Sequence, residues 1–379
     1  MQKYLTFWCP YIGNVGTAKA VLESAKSLSK SKNIKCRVIN SFGEFDRYRS
    51  YLKKNKIEEI KLINNRIIQN LPTEGFLWSR LNYMLVFIFS FLPLLFYLKK
   101  NKNDYLFIYL LTSLPLLIVT LFNLKNKIIL RVSGRIKFTI LRKLIFFMSK
   151  RSLKRVLIQT MESKKRILKK NIFDEKILSL IRDPIINHKK IDLLKLDAIE
   201  GRFLGKKYFV SIGRLTKQKN FLFLVKCLKN FLIEEKKYIF LIIGEGHDRK
   251  KIEEYIQQFK LSKNIILTGY KKNIFKYLSN SEGLICTSLW EEPGFIIQEA
   301  AACKKIILTS DCYTGPSEFV RNGKDGYVFK NNNQKSFLTK LKKLLKEKKS
   351  HKIKINNNFK RTKLYTSSFF SSEIKKILS

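Results

Sequence analysis

Short apolar segments alternate with amphipathic segments along most of this 379-residue chain, and this alternation constrains the fold more than any other feature. In the second half the apolar segments read KYFVSIG, YIFLIIG, NIILTGY, GLICTS and KIILTSD, and a helical pattern separates each from the next. In the first half they read KYLTFWCP, KCRVIN, DYLFIYLL, KIILRVSG and RVLIQT. Strands that alternate with helices form parallel sheets with helices on both faces. The sequence therefore predicts an α/β fold with two doubly wound, Rossmann-like domains facing each other across a cleft.

The same pattern predicts where the domains begin and end. We expect an N-terminal Rossmann-like domain over 1–187 and a C-terminal one over 207–355. The segment 188–206 lacks a clear period and is predicted to be the linker. A Lys-rich helix over 356–379 follows, and it can pack back on the N-terminal domain. A chain of this length is long enough for two domains with separate cores.

The charge balance is strongly positive, with 76 Lys and Arg against 29 Asp and Glu and a net charge of +47. Such a surface attracts polyanions, which include nucleic acid, anionic lipid headgroups and phosphorylated substrates. An A+T-rich coding bias also produces a composition rich in Lys, Ile and Asn, and it explains the positive charge equally well. The basic residues are dispersed, and no helix-turn-helix, zinc or RNA-binding pattern accompanies them, so we expect no nucleic-acid partner.

The cysteines and the N-terminus favour a cytoplasmic protein. Six cysteines are scattered without a CxxC pair, which predicts neither a disulfide framework nor a zinc site. The first residues lack the basic region and the cleavage site of a signal peptide.

Two apolar runs could cross a membrane. The run 83–98 has 16 residues with Pro93 inside, fewer than the roughly 20 that a bilayer core requires. The run 105–124 is long enough but contains several polar residues, and it reads better as a buried strand followed by a buried helix. A transmembrane hairpin is one alternative; a soluble domain with an apolar, basic face, on which the first run lies along a bilayer surface, is the other. We predict the second, hence a peripheral protein on the inner face of the plasma membrane.

Several predicted strands end in loops with residues suited to a nucleotide. The loop GRLTKQKN holds Arg214 and Lys219, and two cations at a strand end can clamp a diphosphate. The loop TGY offers the backbone of Gly269 and the ring of Tyr270 to a base. In a chain this basic, each signal is weak by itself.

The stretch SLWEEPGFIIQEAAACKK, residues 288–305, is more specific. If its helix begins near the Pro-Gly turn, three backbone N–H groups point out of the positive end of the helix, those of Gly294, Phe295 and Ile296. Glu291 in the preceding loop can accept hydrogen bonds from hydroxyl groups, and Glu299, about one turn inside, can bind a vicinal diol such as that of ribose. The alternative is an acidic helix start with a solvated glutamate. A diphosphate clamp, an anion site and two carboxylates together describe a site for a nucleotide-diphosphate sugar.

This stretch resembles the E-x7-E signature of family 4 retaining glycosyltransferases of the GT-B fold, S-x-x-E-G-F-x-x-x-x-x-E-A. Arg214 and Lys219 match the G-R-L-x-x-x-K element of that family. The segment SDCYTGPSEFVRNGKDGYVF, residues 310–329, resembles the corresponding tail of bacterial surface-polysaccharide members. IGNVGTAKAVLE, residues 12–23, is similar to a loose form of the N-terminal Gly-rich acceptor loop. The resemblance is strong over 207–330 and extends over 1–186 only in outline.

The resemblance implies a role for each matched residue. Arg214 and Lys219 neutralise the donor diphosphate and stabilise it as a leaving group. Glu299 holds the ribose, Glu291 contacts the sugar hydroxyls, and the amides at the helix start touch the sugar or a phosphate. Gly16 lets the N-terminal loop approach the diphosphate. The family commonly needs no metal, and no DxD follows an apolar strand here, so we expect neither metal nor cofactor beyond the donor.

One departure concerns a histidine that many family members place after an N-domain strand. The matching strand here ends in Arg131-Val132-Ser133-Gly134, without a histidine. Arg131 or Ser133 could face the donor instead, or Arg131 could be an ordinary surface arginine.

The resemblance implies a retaining transferase that moves a hexose or N-acetylhexosamine from a UDP-sugar to a lipid-linked saccharide. The product would belong to a bacterial O-antigen, capsule or lipopolysaccharide. The alternatives are a related sugar-nucleotide enzyme such as an epimerase, and a basic polyanion-binding protein.

Overall fold

The computed structural model describes residues 2–11, 16–63, 76–132, 139–312 and 314–379. The chain forms two compact units. The first contains Met1–Ile185 together with Thr366–Ser379, and the second contains Ile186–Tyr365.

The first unit is built on a seven-stranded sheet in which every pair of neighbouring strands is parallel. Its strands are β1 (Lys3–Trp8), β2 (Ile34–Asn40), β3 (Glu58–Lys61), β4 (Tyr105–Ile108), β5 (Lys127–Val132), β6 (Leu153–Ile158) and β7 (Leu178–Leu180). Its helices up to Ile185 are α1 (Gly16–Ser29), α2 (Arg49–Lys54), α3 (Phe76–Lys100), α4 (Ser113–Leu121), α5 (Ile140–Met148) and α6 (Met161–Leu168). The strand order is β3-β2-β1-β4-β5-β6-β7.

The second unit has a six-stranded parallel sheet in the order β10-β9-β8-β11-β12-β13. Its strands are β8 (Tyr208–Ile212), β9 (Ile239–Ile243), β10 (Ile265–Gly269), β11 (Gly283–Cys286), β12 (Ile306–Ser310) and β13 (Tyr327–Phe329). Its helices are α7 (His188–Leu194), α8 (Phe221–Glu234), α9 (Arg249–Gln258), α10 (Phe275–Asn280), α11 (Phe295–Ala302), α12 (Pro316–Phe319), α13 (Gln334–Lys346) and α14 (Lys348–Arg361). The last helix, α15 (Ser367–Leu378), returns to the first unit. The prediction of two doubly wound α/β domains is confirmed.

Side chains at the helix starts explain why several helices begin where they do. Five of the described helices follow a residue whose side chain accepts a hydrogen bond from an otherwise unpaired N–H of the first turn. These residues are Thr139, Thr160, Asn187, Asn333 and Thr366.

The central strands are apolar on both faces, as parallel sheets covered by helices require. In β4, Leu106 and Ile108 pack in one core cluster with α3, α4 and α5. Phe107 points to the other face and stacks on Phe370 of α15, with ring centroids 6.4 Å apart. On that face α15 also contacts α1, where the Ser27 hydroxyl donates to the Ser367 carbonyl at 2.6 Å.

Two predicted segments take a different form in the structure. Residues 188–206, expected as a linker, begin with helix α7 and are part of the second unit. Of the expected final segment 356–379, the residues up to Tyr365 lie in the second unit, and those from Thr366 onward lie in the first.

The two apolar runs also have clear structures. The run 105–124 forms β4 and α4, as the sequence predicts. The run 83–98 lies inside α3, and Arg80–Lys100 is the one stretch of the described residues long and apolar enough to cross a membrane. A third of its most apolar window is buried against the protein.

The strand order of each sheet reverses at one place, between β1 and β4 in the first unit and between β8 and β11 in the second. Ligands of open α/β sheets bind outside the carboxyl ends of the strands at this reversal. The loops after β8 and β11 are therefore the first place to look for a site in the second unit.

Candidate functional site

Two of the predicted residues meet at the strand reversal of the second unit. Lys219 lies in the loop after β8, and Glu291 lies in the loop after β11. The Lys219 ammonium forms an ion pair with Oε1 of Glu291, and the side chains are 17% and 7% exposed. The Ser288 hydroxyl donates to the same oxygen at 2.7 Å. Adjacent strands thus bring together a cation and a carboxylate that the sequence separates by 72 positions.

Lys219 keeps its charge because its partner compensates for burial. Burial opposes the charged form of Lys219, but the Glu291 carboxylate outweighs this effect and raises the pKa of Lys219 above its usual value. An ammonium group has three hydrogen-bond donors. Lys219 can therefore hold Glu291 and still donate to an anion.

The two loops are also joined through their backbones. The Thr287 hydroxyl donates to the Lys219 carbonyl at 2.9 Å, and the Leu289 N–H donates to the Gln218 carbonyl at 2.8 Å. The side-chain amide of Gln218 donates to the Trp290 carbonyl at 3.0 Å. These bonds fix the distance between the Lys219 and Glu291 loops before any ligand arrives.

Arg214 lies in the same loop as Lys219, and its side chain is exposed. The loop is held from the other side by the turn after β9, because the Leu215 N–H donates to the Glu245 carbonyl at 2.8 Å. Gly244 makes this approach possible, since a Cβ atom there would lie 1.9 Å from the Gly213 carbonyl oxygen. Gly244 thus serves the contact between the two loops.

The loop before α11 is anchored by the segment after β12. The Thr314 hydroxyl donates to the Glu291 carbonyl and, at 3.3 Å, to a carboxylate oxygen of Glu292. The Ser310 hydroxyl donates to the Ser288 carbonyl at 2.7 Å. The segment 310–329, matched above only by its residue pattern, therefore holds Glu291 in place.

Helix α11 begins at Phe295, one residue later than the predicted start near Gly294. Gly294 is the N-cap, with a left-handed φ of 79° that favours glycine and no capping side chain. Phe295 and Ile296 form the first turn, where the helix supplies no carbonyl for their N–H groups. Glu299 follows on the same helix and is 8% exposed, so the alternative of a solvated glutamate is wrong.

The residues predicted to contact the base, Gly269 and Tyr270, lie at the end of strand β10. Gly269 adopts a left-handed φ of 74°, and its carbonyl accepts from the Gly244 N–H at 3.0 Å. The following Tyr270 side chain is 75% exposed. Because β10 neighbours β9 and β9 neighbours β8, these residues lie two strands away from the loop of Lys219.

The structure shows less about the predicted site residues of the first unit. Gly16 is exposed and begins α1, which follows β1 at the strand reversal of that sheet. Ser133 lies outside the described residues. Arg131 is 2% exposed and forms an ion pair with Asp183, which is 1% exposed. The interpretation of Arg131 as an ordinary surface arginine is therefore wrong. The Asp183 carboxylate accepts hydrogen bonds from both Nε and Nη2 of Arg131, so the pair is also a structural contact at the edge of the sheet.

Sequence reasoning missed Asp325, which anchors the end of the second unit. Its 1%-exposed carboxylate accepts from Arg321, Asn357 and Arg361. Burial opposes the carboxylate charge, but these bonds outweigh it and hold the pKa of Asp325 below its usual range. The only available sequence signal was an acidic residue between two glycines, in a lysine-rich segment.

Among the residues that the structure describes, no group of three His, Cys, Asp or Glu side chains could hold a metal ion. Lys219 and Arg214 both contribute positive charge at the strand reversal. The arrangement can bind an anion beside a group rich in hydroxyls.

Comparisons with known proteins match part of this chain to glycosyltransferases. Residues 194–361 match the family model described as glycosyl transferases group 1. An uncharacterized glycosyltransferase of Methanocaldococcus jannaschii is 30% identical over 174 residues, which are 44% of this chain and 41% of that protein. The UDP-Gal:alpha-D-GlcNAc-diphosphoundecaprenol alpha-1,3-galactosyltransferase of Escherichia coli is 27% identical over 213 residues, 52% of this chain and 54% of that protein. The chain thus spans about half the length of these relatives.

The likeness to solved structures extends over the whole chain. A glycosyltransferase from Rickettsia africae superposes with a TM-score of 0.78 at 17% identity, covering 100% of this chain and 99% of that one. At this identity the likeness shows the fold alone. The chain has the two-domain, Rossmann-like GT-B fold, and its residues 194–361 match the group 1 glycosyl transferases.

Proposed function

We propose that this protein is a retaining glycosyltransferase that moves a hexose or N-acetylhexosamine from a UDP-sugar to a saccharide acceptor. The observation that carries the proposal is the meeting of Lys219 and Glu291 at the strand reversal between β8 and β11. A nucleotide-diphosphate sugar carries both of the groups that such a pair recognises, an anionic diphosphate and neutral hydroxyls.

In this proposal the diphosphate is the leaving group, and its growing negative charge is stabilised by Lys219 and by the exposed Arg214. Lys219 is pre-positioned, because Glu291 and the adjoining loop bonds hold it before the donor binds. A cation that is already oriented loses little freedom in the transition state, so its full electrostatic effect lowers the barrier. No metal is required for this step.

Glu291 has a second task in the same proposal. Among the described residues, both side chains that contact the Glu291 carboxylate, Lys219 and Ser288, do so through Oε1. We assign Oε2 to a hydroxyl of the donor sugar. Glu291 and Glu299 then serve binding, and they are not the acid and nucleophile pair of a glycosidase.

The remaining donor contacts follow from the strand ends. The N–H groups of Phe295 and Ile296 at the positive end of α11 face a phosphate or a sugar oxygen. Glu299 binds the ribose diol, and Tyr270 with Gly269 borders the base. The approach of Gly16, the first residue of α1, to the diphosphate stays a prediction.

The acceptor is the least constrained part of the proposal. The Escherichia coli relative is named for a UDP-sugar donor and a diphosphoundecaprenol-linked acceptor. We propose the same class here, a lipid-linked saccharide of a bacterial surface glycan, used at the cytoplasmic face of the plasma membrane.

Calorimetric titration with UDP tests the donor site directly. Lys219→Ala should weaken UDP binding by about ten- to a hundredfold, the range expected for a charge-assisted hydrogen bond. Lys217→Ala removes an exposed lysine from the same loop and is the matched control, with affinity near that of the wild type. Equal affinities for wild type and a folded Lys219→Ala protein would refute the clamp.

The activity itself is tested by incubating the protein with UDP-glucose, UDP-galactose and their N-acetyl forms. Release of UDP in the presence of a lipid-linked saccharide identifies the donor. Glu299→Ala should abolish this release while the protein stays folded. Wild-type turnover by Glu299→Ala would contradict the ribose assignment.

A further inference from the structure

Three neighbouring helices of the first unit expose large apolar side chains. Helix α3 contacts α4, and α4 contacts α5, so their outer faces adjoin. We call these faces the α3–α5 surface. Its exposed apolar residues are Trp78, Leu81, Met84, Ile88, Phe89, Leu92 and Phe96 on α3, Leu121 and Phe122 at the end of α4, and Ile140, Leu141, Leu144, Phe147 and Met148 on α5.

The exposed residues of α3 form one stripe of the helix. Leu81, Met84, Ile88, Leu92 and Phe96 recur at intervals of three or four positions and so lie on one face. The opposite face is buried, and Leu94 and Leu98 on it belong to the core cluster of the sheet together with the neighbouring Leu95. Helix α3 therefore lies along the protein with one apolar face outward.

Helix α5 repeats this arrangement. Ile140, Leu144 and Phe147 follow each other at helical spacing and are 88%, 52% and 66% exposed. Its inner face packs Ile145 and Phe146 into the same core cluster as α3. Two separate helices of one layer thus turn apolar faces to the outside, where they gain nothing from folding.

The sequence around this surface is almost free of acid. Between residues 76 and 161 there are fifteen Lys and Arg residues and one acidic residue, Asp104. Asp104 is buried and forms an ion pair with Arg37. Two of the lysines lie directly over aromatic rings of the surface: Lys99 is 5.3 Å from the Phe122 ring centroid, and Lys150 is 4.7 Å from that of Phe147.

We propose that the α3–α5 surface inserts shallowly into an anionic lipid bilayer. Apolar side chains enter the acyl boundary while neighbouring Lys and Arg side chains reach anionic headgroups, as in interfacial helices. The inference concerns the first unit only and does not depend on the donor site of the second.

The observations favour a bilayer over the other possible occupants. A second copy of the chain would bring two strongly basic surfaces together, and like charges at an interface are costly. A transmembrane role for α3 would remove Leu94, Leu95 and Leu98 from the core of the sheet.

Flotation of the full chain with lipid vesicles tests the proposal. Vesicles of phosphatidylcholine mixed with phosphatidylglycerol should carry the protein, and vesicles of phosphatidylcholine alone should carry much less. Ile140→Ser and Phe147→Ser should each lower the partition coefficient by about tenfold or more, because each removes a large apolar side chain that would be buried. Lys150→Glu should lower binding to the mixed vesicles by several-fold or more, since each basic residue near an anionic surface contributes measurably.

The second unit supplies matched controls. Ile233→Ser and Ile353→Ser change isoleucines that are 69% and 67% exposed outside the α3–α5 surface, and they should leave vesicle binding unchanged. Equal binding by all five variants, or no binding of the wild type to mixed vesicles, would overturn the proposal. A dimer in sedimentation that Phe147→Ser dissolves, without vesicle binding, would assign the surface to a second copy. Retention in membranes after carbonate extraction would show a spanning helix instead.

Discussion

Removing the ammonium of Lys219 should destabilise the second unit while removing both members of its ion pair should not. In Lys219→Met the Glu291 carboxylate, 7% exposed, would keep the Ser288 hydroxyl as its side-chain partner within the described part of the chain. Breaking a buried ion pair on one side costs about 3–5 kcal/mol, because the remaining charge has neither water nor a counter-charge. Lys219 is still 17% exposed, and the hydrogen bond from Ser288 persists, so we expect the lower end, about 3 kcal/mol.

The double variant Lys219→Met/Glu291→Gln removes both charges and nearly keeps the volume of both side chains. Replacing a buried ion pair by neutral groups is often neutral or stabilising, so the double variant should lie within about 1 kcal/mol of the wild type. The single variants then fail to add, and the coupling energy of the pair should be about 3 kcal/mol or more. Both variants should bind UDP about ten- to a hundredfold more weakly than the wild type.

Scanning calorimetry is the suitable assay, because two units need not unfold in one step. The transition of the second unit should fall in Lys219→Met and recover in the double variant. Lys217→Met, an exposed neighbour in the same loop, should change stability by no more than about 0.5 kcal/mol. If the effects of the two single variants simply add, the carboxylate is not held by the ammonium and the pre-positioning of Lys219 is wrong.

Two further predictions concern buried backbone and carboxyl groups. Burial raises the pKa of Glu44 to about 7 even though two backbone N–H groups donate to it. The folded protein therefore binds a proton there that the unfolded chain has lost, so stability falls as pH rises from about 4.5 to 7. Glu44→Gln should remove about 3 kcal/mol of this decrease in the free energy of unfolding, measured by urea unfolding between pH 4.5 and 7. An unchanged pH dependence would contradict the raised pKa. Gly244→Ala should destabilise the second unit by more than about 3 kcal/mol, because its Cβ would overlap the Gly213 carbonyl. Gly201→Ala, whose Cβ would meet nothing within 4 Å, is the control, and equal melting temperatures would refute the overlap.

The strands and helices of the second unit can be predicted well from the sequence, because each is determined by residues that are close together in the chain. Each of its strands is a short apolar run with glycine, asparagine or a charged residue at one end or both, and periodicity separates strands from helices. The same holds for the run 105–124, where Pro115 and the preceding polar residues mark the start of α4.

The contacts inside the site could not be predicted from periodicity, because they depend on the order of strands in the sheet. Lys219 and Glu291 meet only because β8 and β11 are neighbours, although β9 and β10 lie between them in sequence. Sequence reasoning gave both residues to the ligand and did not foresee that they bind each other. The pairing of Arg131 with Asp183, 52 positions away, was missed for the same reason.

Helix α3 is longer than the apolar run 83–98 for a different reason. The helix extends from Phe76 to Lys100 and includes polar residues at both ends. Lysine and arginine are good helix formers, so they end an apolar pattern without ending a helix. Pro93 did not end it either, since α3 runs through this residue.

The net charge of +47 becomes informative only when it is combined with exposure. Over the whole chain a coding bias explains lysine as well as a function does, and charge alone selects no partner. Between residues 76 and 161, fifteen Lys and Arg residues stand against one buried acidic residue, and this excess coincides with apolar helix faces that folding leaves exposed. A coding bias can supply the lysines, but it does not place Ile140, Leu144 and Phe147 on the outward face of α5 and Ile145 on the inward one. The coincidence of the two patterns on α3, α4 and α5 is the observation that supports the proposed lipid surface as the partner of this part of the charge.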